Sequence, residues 1–368
     1  MISKAIGLIL ADDPKILLGE LTRPRALSAI PFGGRYRLID FNLSNMVHSG
    51  INTIGISTFT KYKSLMDHLG TGSPWDLDRK NQGLSILAPY ISTDTYTGEA
   101  DDLLAILHFF RHASQEYMVI TRSDVLMTMT YNDMIRAHEE SDADITVLFN
   151  RDGSEGGEPN LILDMDRQLR VKSVYQNPAR PVSDYRSLGV IVIRRQRFVD
   201  LISEGISRGL NVFTLAYLLR QCDHLDVRGF EYRAPVMYIN DIASYFRSTM
   251  LSLEERYQEA LYHGSCPVYT KVKDEAPTIY TADAYVQDSM ISDGCLIDGE
   301  IRHSMLFRGV TVAKSARLKN CIVFQNTYIS EACELENVII DKNCIIRPGI
   351  KLIGQEQYPM VIGKGAIV

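Results

Sequence analysis

Three arginines close to a pair of glycines are the first residues of the chain with the chemistry to bind a phosphorylated ligand. Arg25, Arg35 and Arg37 lie on either side of Gly33-Gly34. A guanidinium presents parallel N–H donors that match the oxygens of a phosphate, so this cluster predicts a site for a small anion. Surface salt bridges or contacts between subunits are alternative roles for the same side chains.

A pair of acidic residues near the start of the chain is expected to repel a phosphorylated ligand instead of binding it. Asp12 and Asp13 follow an apolar run of strand length at residues 5–11. A carboxylate about 4 Å from a phosphate costs roughly 1 kcal/mol in water and about 4 kcal/mol at an effective dielectric constant of 20. We therefore expect the pair to oppose a polyphosphate, unless it holds additional Mg²⁺ ions, for which carboxylates are suitable ligands.

Strand-length apolar runs alternate with helix-length segments up to about residue 255. The apolar runs fall at residues 5–11, 53–57, 117–121, 145–149 and 190–193, and the helical segments include 101–114 and 131–141. This alternation predicts an α/β domain over residues 1–255, with a mainly parallel sheet and helices on both faces. Ligands bind such sheets at the carboxyl ends of the strands, so the loops after Leu10 and Thr121 are expected to form the site.

A six-residue apolar repeat replaces the helical pattern after Pro277. The repeat is formed by Leu306, Val312, Leu318 and Phe324, slips by one residue to Ile329, continues at Leu335, and recurs from Ile346 to Leu352. Such a repeat is typical of a parallel β-helix, in which each short side of the coil places one residue inward. We expect a linker over residues 256–279 and about five coils over residues 280–368; ordinary antiparallel strands are the alternative.

The composition argues against several classes of function. The 368 residues carry a formal net charge of −6 and the pI is near 5.8, which argues against nucleic acid as a main partner. No apolar run reaches the roughly 18 residues that span a membrane. The first residues lack the layout of a signal peptide, and the six cysteines form no Cys-x-x-Cys pair. We expect a cytoplasmic protein with reduced thiols.

The arginine-rich segment also carries a family resemblance. Residues 21–41, LTRPRALSAIPFGGRYRLIDF, resemble the signature of ADP-glucose pyrophosphorylases, and residues 43–45, 49–51, 75–79 and 96–101 are similar to further segments of that family. The resemblance spans nearly the whole chain. It implies a nucleotidyltransferase (Rossmann-like) α/β domain followed by a left-handed parallel β-helix. It also implies the Mg²⁺-dependent reaction of glycogen biosynthesis, in which ATP and glucose 1-phosphate give ADP-glucose and pyrophosphate.

The nucleotide loop departs from the family pattern. Active members have Gly-Gly-x-Gly-Thr-Arg-Leu after the first strand, and this chain has Asp12-Asp13-Pro14-Lys15-Ile16-Leu17-Leu18. The glycines let backbone N–H groups approach the triphosphate, and Pro14 removes one such donor. The family's catalytic arginine position is Leu17, and by analogy with other phosphoryl transfers its loss costs about 10³-fold or more in rate. No catalytic residue is therefore assigned in this degenerate loop.

At the family's other functional positions this chain keeps some residues and replaces others. By the resemblance, Asp124 and Asp241 occupy the two Mg²⁺-binding positions, although each could instead be a loop or helix-cap carboxylate. Asn177 replaces the lysine for the sugar phosphate, Leu27 replaces a second lysine, and Phe59 replaces the glutamine that contacts the base. We expect Asp124, Asp241 and Asn177 to be vestiges of metal and sugar-phosphate sites.

Three hypotheses of function follow. The first is a catalytically impaired regulatory chain, similar to the GlgD-type chains of this family, that assembles with a catalytic subunit, with a heterotetramer expected. In the family the segment with Arg25, Arg35 and Arg37 contributes to a site for anionic effectors such as sugar bisphosphates. The second is an active glucose-1-phosphate adenylyltransferase with a divergent loop. The third is a β-helix acyltransferase, which needs a catalytic histidine; His303, the only histidine of the repeat region, is expected to be a turn residue.

Overall fold

The structure, a computed structural model, describes residues 4–12, 16, 18–58, 61–80, 82–87, 100–151, 161–180, 182–210 and 213–368. An α/β part is followed by a coil of short parallel strands. The helices are α1 (Leu38–His48), α2 (Lys63–Leu69), α3 (Ala100–Arg111), α4 (Asn132–Ser141), α5 (Arg195–Ser207), α6 (Leu215–Leu219), α7 (Ile242–Leu251) and α8 (Glu255–Gln258). Within these ranges no helix is both long and apolar enough to cross a lipid bilayer.

One large sheet organises the α/β part. Its strands are β1 (Ala5–Leu10), β4 (Ile54–Ser57), β5 (Leu84–Leu87), β6 (Tyr117–Arg122), β8 (Ile145–Asn150), β9 (Leu161–Met165), β10 (Val171–Gln176), β11 (Tyr185–Arg194) and β12 (Val227–Glu231); the hairpin β2 (Pro31–Phe32) and β3 (Tyr36–Arg37), and the pair β7 (Val125–Leu126) and β13 (Met237–Tyr238), lie beside it. The order is β10-β9-β11-β6-β1-β4-β5, with β8 on β11 and β12 on β8. All five predicted strands and both predicted helices are present; their bounds agree within three residues, except that the strand predicted over residues 190–193 begins five residues earlier, at Tyr185.

The sheet is parallel around β1 and antiparallel around β11. Strand β1 pairs in parallel with β4 and β6, and β5 continues this arrangement beyond β4. Strand β11 runs antiparallel to β6, β8 and β9. All six residues of β1 are buried, because Ile6 and Leu8 pack under α3 and α5 while Ile9 packs under α1. Burial on both faces explains why the run is continuously apolar instead of alternating.

The C-terminal part is a coil with three flat faces. Its strands are β14 (Ile279–Tyr280), β15 (Tyr285–Gln287), β16 (Met290–Ile291), β17 (Leu296–Ile297), β18 (Glu300–Arg302), β19 (Met305–Leu306), β20 (Thr311–Val312), β21 (Arg317–Val323), β22 (Tyr328–Ile329), β23 (Glu334–Ile340), β24 (Ile345–Ile346), β25 (Lys351–Ile353) and β26 (Met360–Ile362). Each strand up to β23 pairs in parallel with the strand one coil further on, and β24, β25 and β26 end the coil. The predicted parallel β-helix is therefore confirmed, and the antiparallel alternative is wrong.

One residue of the predicted apolar repeat does not point into the coil. Leu306 lies in register with Val323, and Val323 with Ile340, so in these coils the buried interior repeats every seventeenth residue, whereas Ile291 to Leu306 and Ile297 to Val312 are fifteen residues apart. Phe324 was expected inside, but its ring lies 5.0 Å from Phe307, in the cluster that joins the coil to α7. The one-residue slip occurs before Val323 because a coil of this length cannot be divided into whole hexads.

A polar ladder closes one corner of the coil. His303 Nδ1 lies 2.9 Å from Asn320 Oδ1, Asn320 Nδ2 donates to Asn337 Oδ1, and Asn337 Nδ2 donates to the carbonyl of Gly354. The three side chains come from residues with φ between 43° and 53°, a left-handed conformation that asparagine tolerates better than most residues. His303 is thus a turn residue, as expected, and nothing in this arrangement resembles a catalytic histidine.

The two parts share a core of their own. Tyr245 and Phe246 of α7 are buried together with Phe324 and Ile339 of the coil. The first residues of the expected linker are helical, since α8 continues into a π-helical turn, Glu259–His263. Beyond this turn the chain is extended as far as β14.

Candidate functional site

The carboxyl ends of three parallel strands meet at one edge of the sheet. Leu10 of β1 lies opposite Ser57 of β4 and Arg122 of β6. The residues that follow these strands, Asp12 and Asp124 among them, are therefore neighbours at this edge, where α/β sheets bind their ligands. This confirms that the loops after the first and third predicted strands converge.

The side chain of Asp12 is engaged by its own protein. Its Oδ1 accepts a hydrogen bond from the N–H of Leu27 at 3.0 Å, and its Oδ2 accepts one from the Thr58 hydroxyl at 2.8 Å. Leu27 and Thr58 are buried, and Asp12 is partly buried. The carboxylate therefore uses a backbone donor at the very edge where phosphate oxygens would need one. Asp13, Pro14, Lys15, Leu17 and Phe59 lie outside the described residues.

Asp124 forms a bidentate ion pair with Arg122. Arg122 Nε donates to Asp124 Oδ1 at 2.8 Å and its Nη2 donates to Oδ2 at 2.7 Å. The side chains are 11% and 4% exposed, so water screens the pair little. The sequence did not predict that Arg122 would fold onto the acid two residues away.

A glycine makes room for this arginine. Gly189 in β11 has φ of 66°, and a Cβ there would lie only 3.0 Å from Cδ of Arg122. The space left beside the pair is about 10 Å³, lined by Arg122, Asp124, Val125, Leu161, Ser187, Gly189 and Tyr238. A cavity of that size holds at most about one water molecule.

Asp241 serves as a helix cap. The pairing of β7 with β13 brings the carbonyl of Asp124 to the N–H of Ile239, two residues before Asp241. Asp241 Oδ1 accepts from the N–H of Ser244 at 2.7 Å, and the Ser244 hydroxyl accepts from the N–H of Asp241. This reciprocal capping box begins α7. The cap role that the sequence left open for Asp241 is thus present.

The donor set does not fit Mg²⁺ as it stands. Mg²⁺ needs carboxylate oxygens in near-octahedral geometry. Both oxygens of Asp124 accept from a guanidinium, and one oxygen of Asp241 caps a helix. In the described ranges no three acidic, histidine or cysteine side chains gather closely enough to hold a metal ion.

Asn177 is exposed at the end of β10. Its φ of 47° places it in the left-handed region, where asparagine is tolerated. The neighbouring Gln176 accepts a hydrogen bond from Arg220. No described contact links Asn177 to Asp124 or Arg122, so the structure gives it the place of a turn residue.

Arg25 does not belong to an open anion site. It is 3% exposed, and its Nη2 donates to both carboxylate oxygens of Asp341 at 2.8 and 2.9 Å. The prediction that Arg25 binds an effector is wrong for this geometry, because its donors face a buried carboxylate of the coil. Arg35 and Arg37 belong to the same segment of sequence but line a cavity instead.

The hairpin of β2 and β3 carries Arg35 and Arg37 to a large basic cavity. The turn needs glycine, since Gly33 has φ of 57° and a Cβ there would overlap the ring of Tyr262. The cavity measures about 370 Å³ and lies between this hairpin, α2, the extended segment and the coil corners. Its charged residues are the cations Arg35, Arg37, Lys271, Lys273, Arg308, Lys342 and Lys364, and the acids Asp67 and Glu275.

Burial of cationic side chains, with a smaller contribution from neighbouring positive charges, makes this cavity electrostatically strained. Burial, opposed in part by Asp40, lowers the pKa of Arg37 to about 10, although Nη1 donates to the carbonyl and hydroxyl of Ser64. Burial and the charges of Arg37 and Arg25 lower the pKa of Lys342 to about 7. Such groups are stabilised by an anion, because seven cations face two carboxylates in one cleft.

Five of the seven cavity cations were not predicted from the sequence. Arg308, Gln325 and Lys342 occupy equivalent corners of successive coils, seventeen residues apart. Gln325 Oε1 is buried and has no hydrogen-bond partner among the residues that the structure describes. The coil period could have grouped these corners, but only the fold shows that they face the hairpin.

Comparison with known proteins agrees with the two-part architecture. Residues 17–212 match the nucleotidyl transferase family, and residues 276–358 match the GlmU-like C-terminal hexapeptide family. The chain belongs to the nucleotidyl transferase family, in the group that contains glucose-1-phosphate adenylyltransferases and GlgD. The hexapeptide match and the parallel strands are consistent with a left-handed β-helix.

Comparison with individual relatives shows how similar the chain is to single members of this group. The chain is 32% identical to the glycogen biosynthesis protein GlgD of Bacillus subtilis over 367 residues, which cover 99% of this chain and 97% of the relative. It is 29% identical to glucose-1-phosphate adenylyltransferase of Geobacillus stearothermophilus over 331 residues, covering 87% and 84%. It is also 29% identical to the enzyme of that name from Bacillus subtilis over 322 residues, covering 85% and 84%.

Proposed function

We propose that this chain is a regulatory, catalytically impaired subunit of glucose-1-phosphate adenylyltransferase in glycogen biosynthesis. It assembles with a catalytic chain of the same family, in a heterotetramer, and senses a small phosphorylated anion. The similarity to GlgD along almost the full chain supports the pathway and the regulatory class. Impaired catalysis and anion sensing are supported by separate parts of the structure.

The ion pair between Arg122 and Asp124 carries the argument for impaired catalysis. A metal-binding aspartate of a nucleotidyltransferase must offer its oxygens to a cation that bridges phosphates. Here a guanidinium already takes both oxygens, and the space beside it admits about one water. Binding Mg²⁺ at Asp124 would require the arginine to leave, so the resting site is closed to the metal.

Asp12 adds a second obstacle on the phosphate side. Its carboxylate takes the N–H of Leu27 and the hydroxyl of Thr58, donors that a nucleotide would otherwise find at this edge. A phosphate approaching within about 4 Å would also meet its negative charge, at roughly 4 kcal/mol for an effective dielectric constant of 20. The guanidinium of Arg122 keeps Mg²⁺ from Asp124, and the carboxylate of Asp12 repels phosphate. Both features therefore oppose the binding of ATP with Mg²⁺.

The basic cavity supports the sensing role. It is large enough for a phosphorylated sugar, since ligand cavities measure about 300 to 1,000 Å³. Arg35 and Arg37 come from the α/β part, whereas Arg308 and Lys342 come from the coil. An anion held there bridges the two parts, and a ligand that contacts both can favour one relative arrangement over another.

A rate assay on the purified chain tests the catalytic side. With ATP, Mg²⁺ and glucose 1-phosphate we expect pyrophosphate release to be slower by about 10³-fold or more than for a catalytic relative. Turnover at the rate of that relative would instead establish the chain as an active adenylyltransferase. The assay includes the catalytic relative at equal concentration as its positive control.

A mixing experiment tests the regulatory side. The chain is combined with the glucose-1-phosphate adenylyltransferase of its source organism, and the mixture is titrated with a sugar bisphosphate and with inorganic phosphate. We expect co-elution and a shift in activator response of about 5- to 150-fold, the usual range of allosteric coupling. The double variant Lys273→Gln/Lys342→Gln should lose the shift, while Lys319→Gln, on a coil strand outside the cavity, should keep it. Absence of co-elution would reject the regulatory assignment.

A further inference from the structure

A carboxylate and an imidazole form a buried pair on the wall of the basic cavity. His68 of α2 lines the cavity, and its Nε2 lies 2.6 Å from Oδ1 of Asp40 in α1. The side chains of His68 and Asp40 are 7% and 0% exposed, so water screens their interaction little. We call these two residues the Asp–His pair. The pair brings a group that titrates near neutral pH to the place where an anion would bind.

The position of Asp40 is fixed by the helix that it caps. Its Oδ2 accepts a hydrogen bond from the N–H of Arg37 at 3.0 Å, which closes the first turn of α1. Oδ1 remains for His68. A carboxylate withdrawn from water is unfavourable unless a positive charge lies next to it. A protonated His68 supplies that charge at hydrogen-bond distance, so Asp40 favours the charged form of the ring.

The bond to Asp40 also decides where a neutral imidazole carries its hydrogen. A carboxylate only accepts, so Nε2 holds the hydrogen and Nδ1 holds a lone pair. Within the part of the chain that the structure describes, Nδ1 has no hydrogen-bond partner. Neutral His68 therefore offers the cavity an acceptor, whereas an anion needs a donor. A proton on Nδ1 makes the ring a donor there and leaves the bond to Asp40 intact.

The surroundings of His68 favour the neutral ring as long as no anion is bound. Burial lowers the pKa of His68, and the charges of Arg37 and Lys271 lower it further, against the opposing effect of Asp40. An anion adds negative charge beside these cations, so it raises the pKa of the ring. The charged groups that act on His68 or share the cavity with it are Asp40 of α1, Arg37 of β3, Asp67 of α2, Lys271 of the extended segment, and Arg308 and Lys342 of the coil.

We propose that the cavity binds an anion together with a proton, which passes from the solvent to Nδ1 of His68. The imidazolium then donates from Nδ1 to an oxygen of the anion and from Nε2 to Asp40. One N–H bond forms and no bond of the ligand breaks. This proton coupling rests on the proposed anion binding in the cavity and adds the residue that links it to protons. Binding strengthens as the pH falls between the pKa of His68 in the complex and its lower pKa in the free chain.

Lys342 takes up its proton in a higher pH range than His68. The pKa of Lys342 is about 7, so at about pH 6.5 the lysine is already mostly charged and gains at most about a quarter of a proton when an anion binds. The pKa of His68 is below 6.5, so at the same pH the free ring is less than half charged and gains more than about half a proton. The two contributions are therefore separable at that pH.

Calorimetry of sulfate binding to the full-length chain counts these protons. Heats are measured at about pH 6.5 and constant ionic strength in buffers of different ionisation enthalpy, whose slope gives the protons taken up per sulfate. We expect more than about half a proton for the native chain and for Lys342→Gln, and at most about a quarter for His68→Gln. A glutamine amide still donates to Asp40, and circular dichroism checks the fold. The exposed His224→Gln is the matched control and should behave like the native chain.

The single tryptophan of the chain gives a second readout. Trp75 packs edge-to-face on His68, with 5.9 Å between the ring centroids. An imidazolium quenches indole fluorescence more strongly than a neutral imidazole does, so sulfate should dim the native chain at about pH 6.5 and leave His68→Gln unchanged.

Two results would overturn the proton coupling and leave anion sensing in place. One is sulfate binding to the native chain with no more proton uptake than in His68→Gln. The other is equal quenching of Trp75 by sulfate in the native chain and in His68→Gln. Absence of sulfate binding to the native chain would instead reject both the proton coupling and the sensing role.

Discussion

Arg25 and Asp341 are 316 residues apart in the sequence and form a buried bidentate ion pair with distances of 2.8 and 2.9 Å. Their side chains are 3% and 0% exposed. The pair joins the α/β part to the coil at one defined point. Asp341 Oδ1 also accepts the N–H of Lys342, so the same carboxylate orients the corner that carries a cavity lysine.

Breaking that pair should destabilise the whole chain. In Asp341→Asn the guanidinium of Arg25 stays buried without its counter-charge, and losses of this kind are about 3–5 kcal/mol. We expect a lower urea midpoint in unfolding followed by fluorescence and circular dichroism. Lys351→Gln, which breaks the exposed pair with Glu334, is the control and should leave the midpoint nearly unchanged. Equal midpoints for the two variants would contradict the joining role of Arg25.

Removing Arg122 should open Asp124 to a metal ion. In Arg122→Ala the carboxylate loses the guanidinium that now takes both oxygens, and a divalent cation can replace it. We expect Mn²⁺ binding by electron paramagnetic resonance and a melting temperature that rises with added Mn²⁺. The native chain should show neither effect at the same concentrations.

The double variant Arg122→Ala/Asp124→Asn identifies the ligand. It should lose the Mn²⁺ signal while keeping the fold, because the amide is a poor replacement for a carboxylate. If Arg122→Ala is folded and binds no Mn²⁺, the arginine is not what keeps the cation away.

Anion affinity in the basic cavity should fall as pH rises above neutrality. The pKa of Lys342 is lowered to about 7, chiefly by burial and by Arg37 and Arg25, against the opposing charge of Asp341. A bound anion favours the charged lysine, so its pKa is higher in the complex than in the free chain. Affinity is then full below the free-state pKa and falls by up to about tenfold per pH unit above it.

Sulfate is a suitable probe because it does not titrate in this range. Calorimetry at constant ionic strength, from about pH 6 to about pH 9, should show the decline in the native chain. Lys342→Gln should bind more weakly at low pH and with a flatter profile, whereas Lys319→Gln should follow the native curve. A native profile without slope would reject the involvement of Lys342.

His138 should make the fold sensitive to acid. Burial lowers its pKa to about 4, and its Nδ1 lies 2.8 Å from the Thr146 hydroxyl. The unfolded chain takes up the proton near pH 6.5 and the folded chain only near pH 4, so stability falls as pH drops between these values, by about 3 kcal/mol in total. Urea unfolding at several pH values should show a smaller loss for His138→Gln, while the exposed His224→Gln should behave like the native chain.

The strands of the sheet could be predicted because their burial leaves a direct mark on the sequence. Strand β1 is buried on both faces, so its run is continuously apolar, and the coil interior repeats at intervals of about six residues within a coil. The phase of that repeat at Phe324 could not be predicted, since an aromatic residue satisfies the pattern equally well when it packs against α7 instead of the interior.

Pairings between side chains that lie far apart along the chain could not be predicted from the sequence. From the sequence alone Arg25 looks like an exposed cation, because only the folded coil brings Asp341 beside it. Lys342 lines the cavity because the coil packs against the hairpin. The loss of glycine and arginine from the nucleotide loop was visible in the sequence. The way Arg122 turns onto Asp124 depends on the space that Gly189 leaves on a neighbouring strand.

The corners that carry Arg308, Gln325 and Lys342 toward the hairpin are followed, three residues later, by Thr311, Tyr328 and Ile345, which lie in register on the next face of the coil. Strands only two residues long give a displaced corner no length over which to relax. Within each coil, a shift of the corner that faces the cavity is therefore passed to the neighbouring face instead of being absorbed along a long strand.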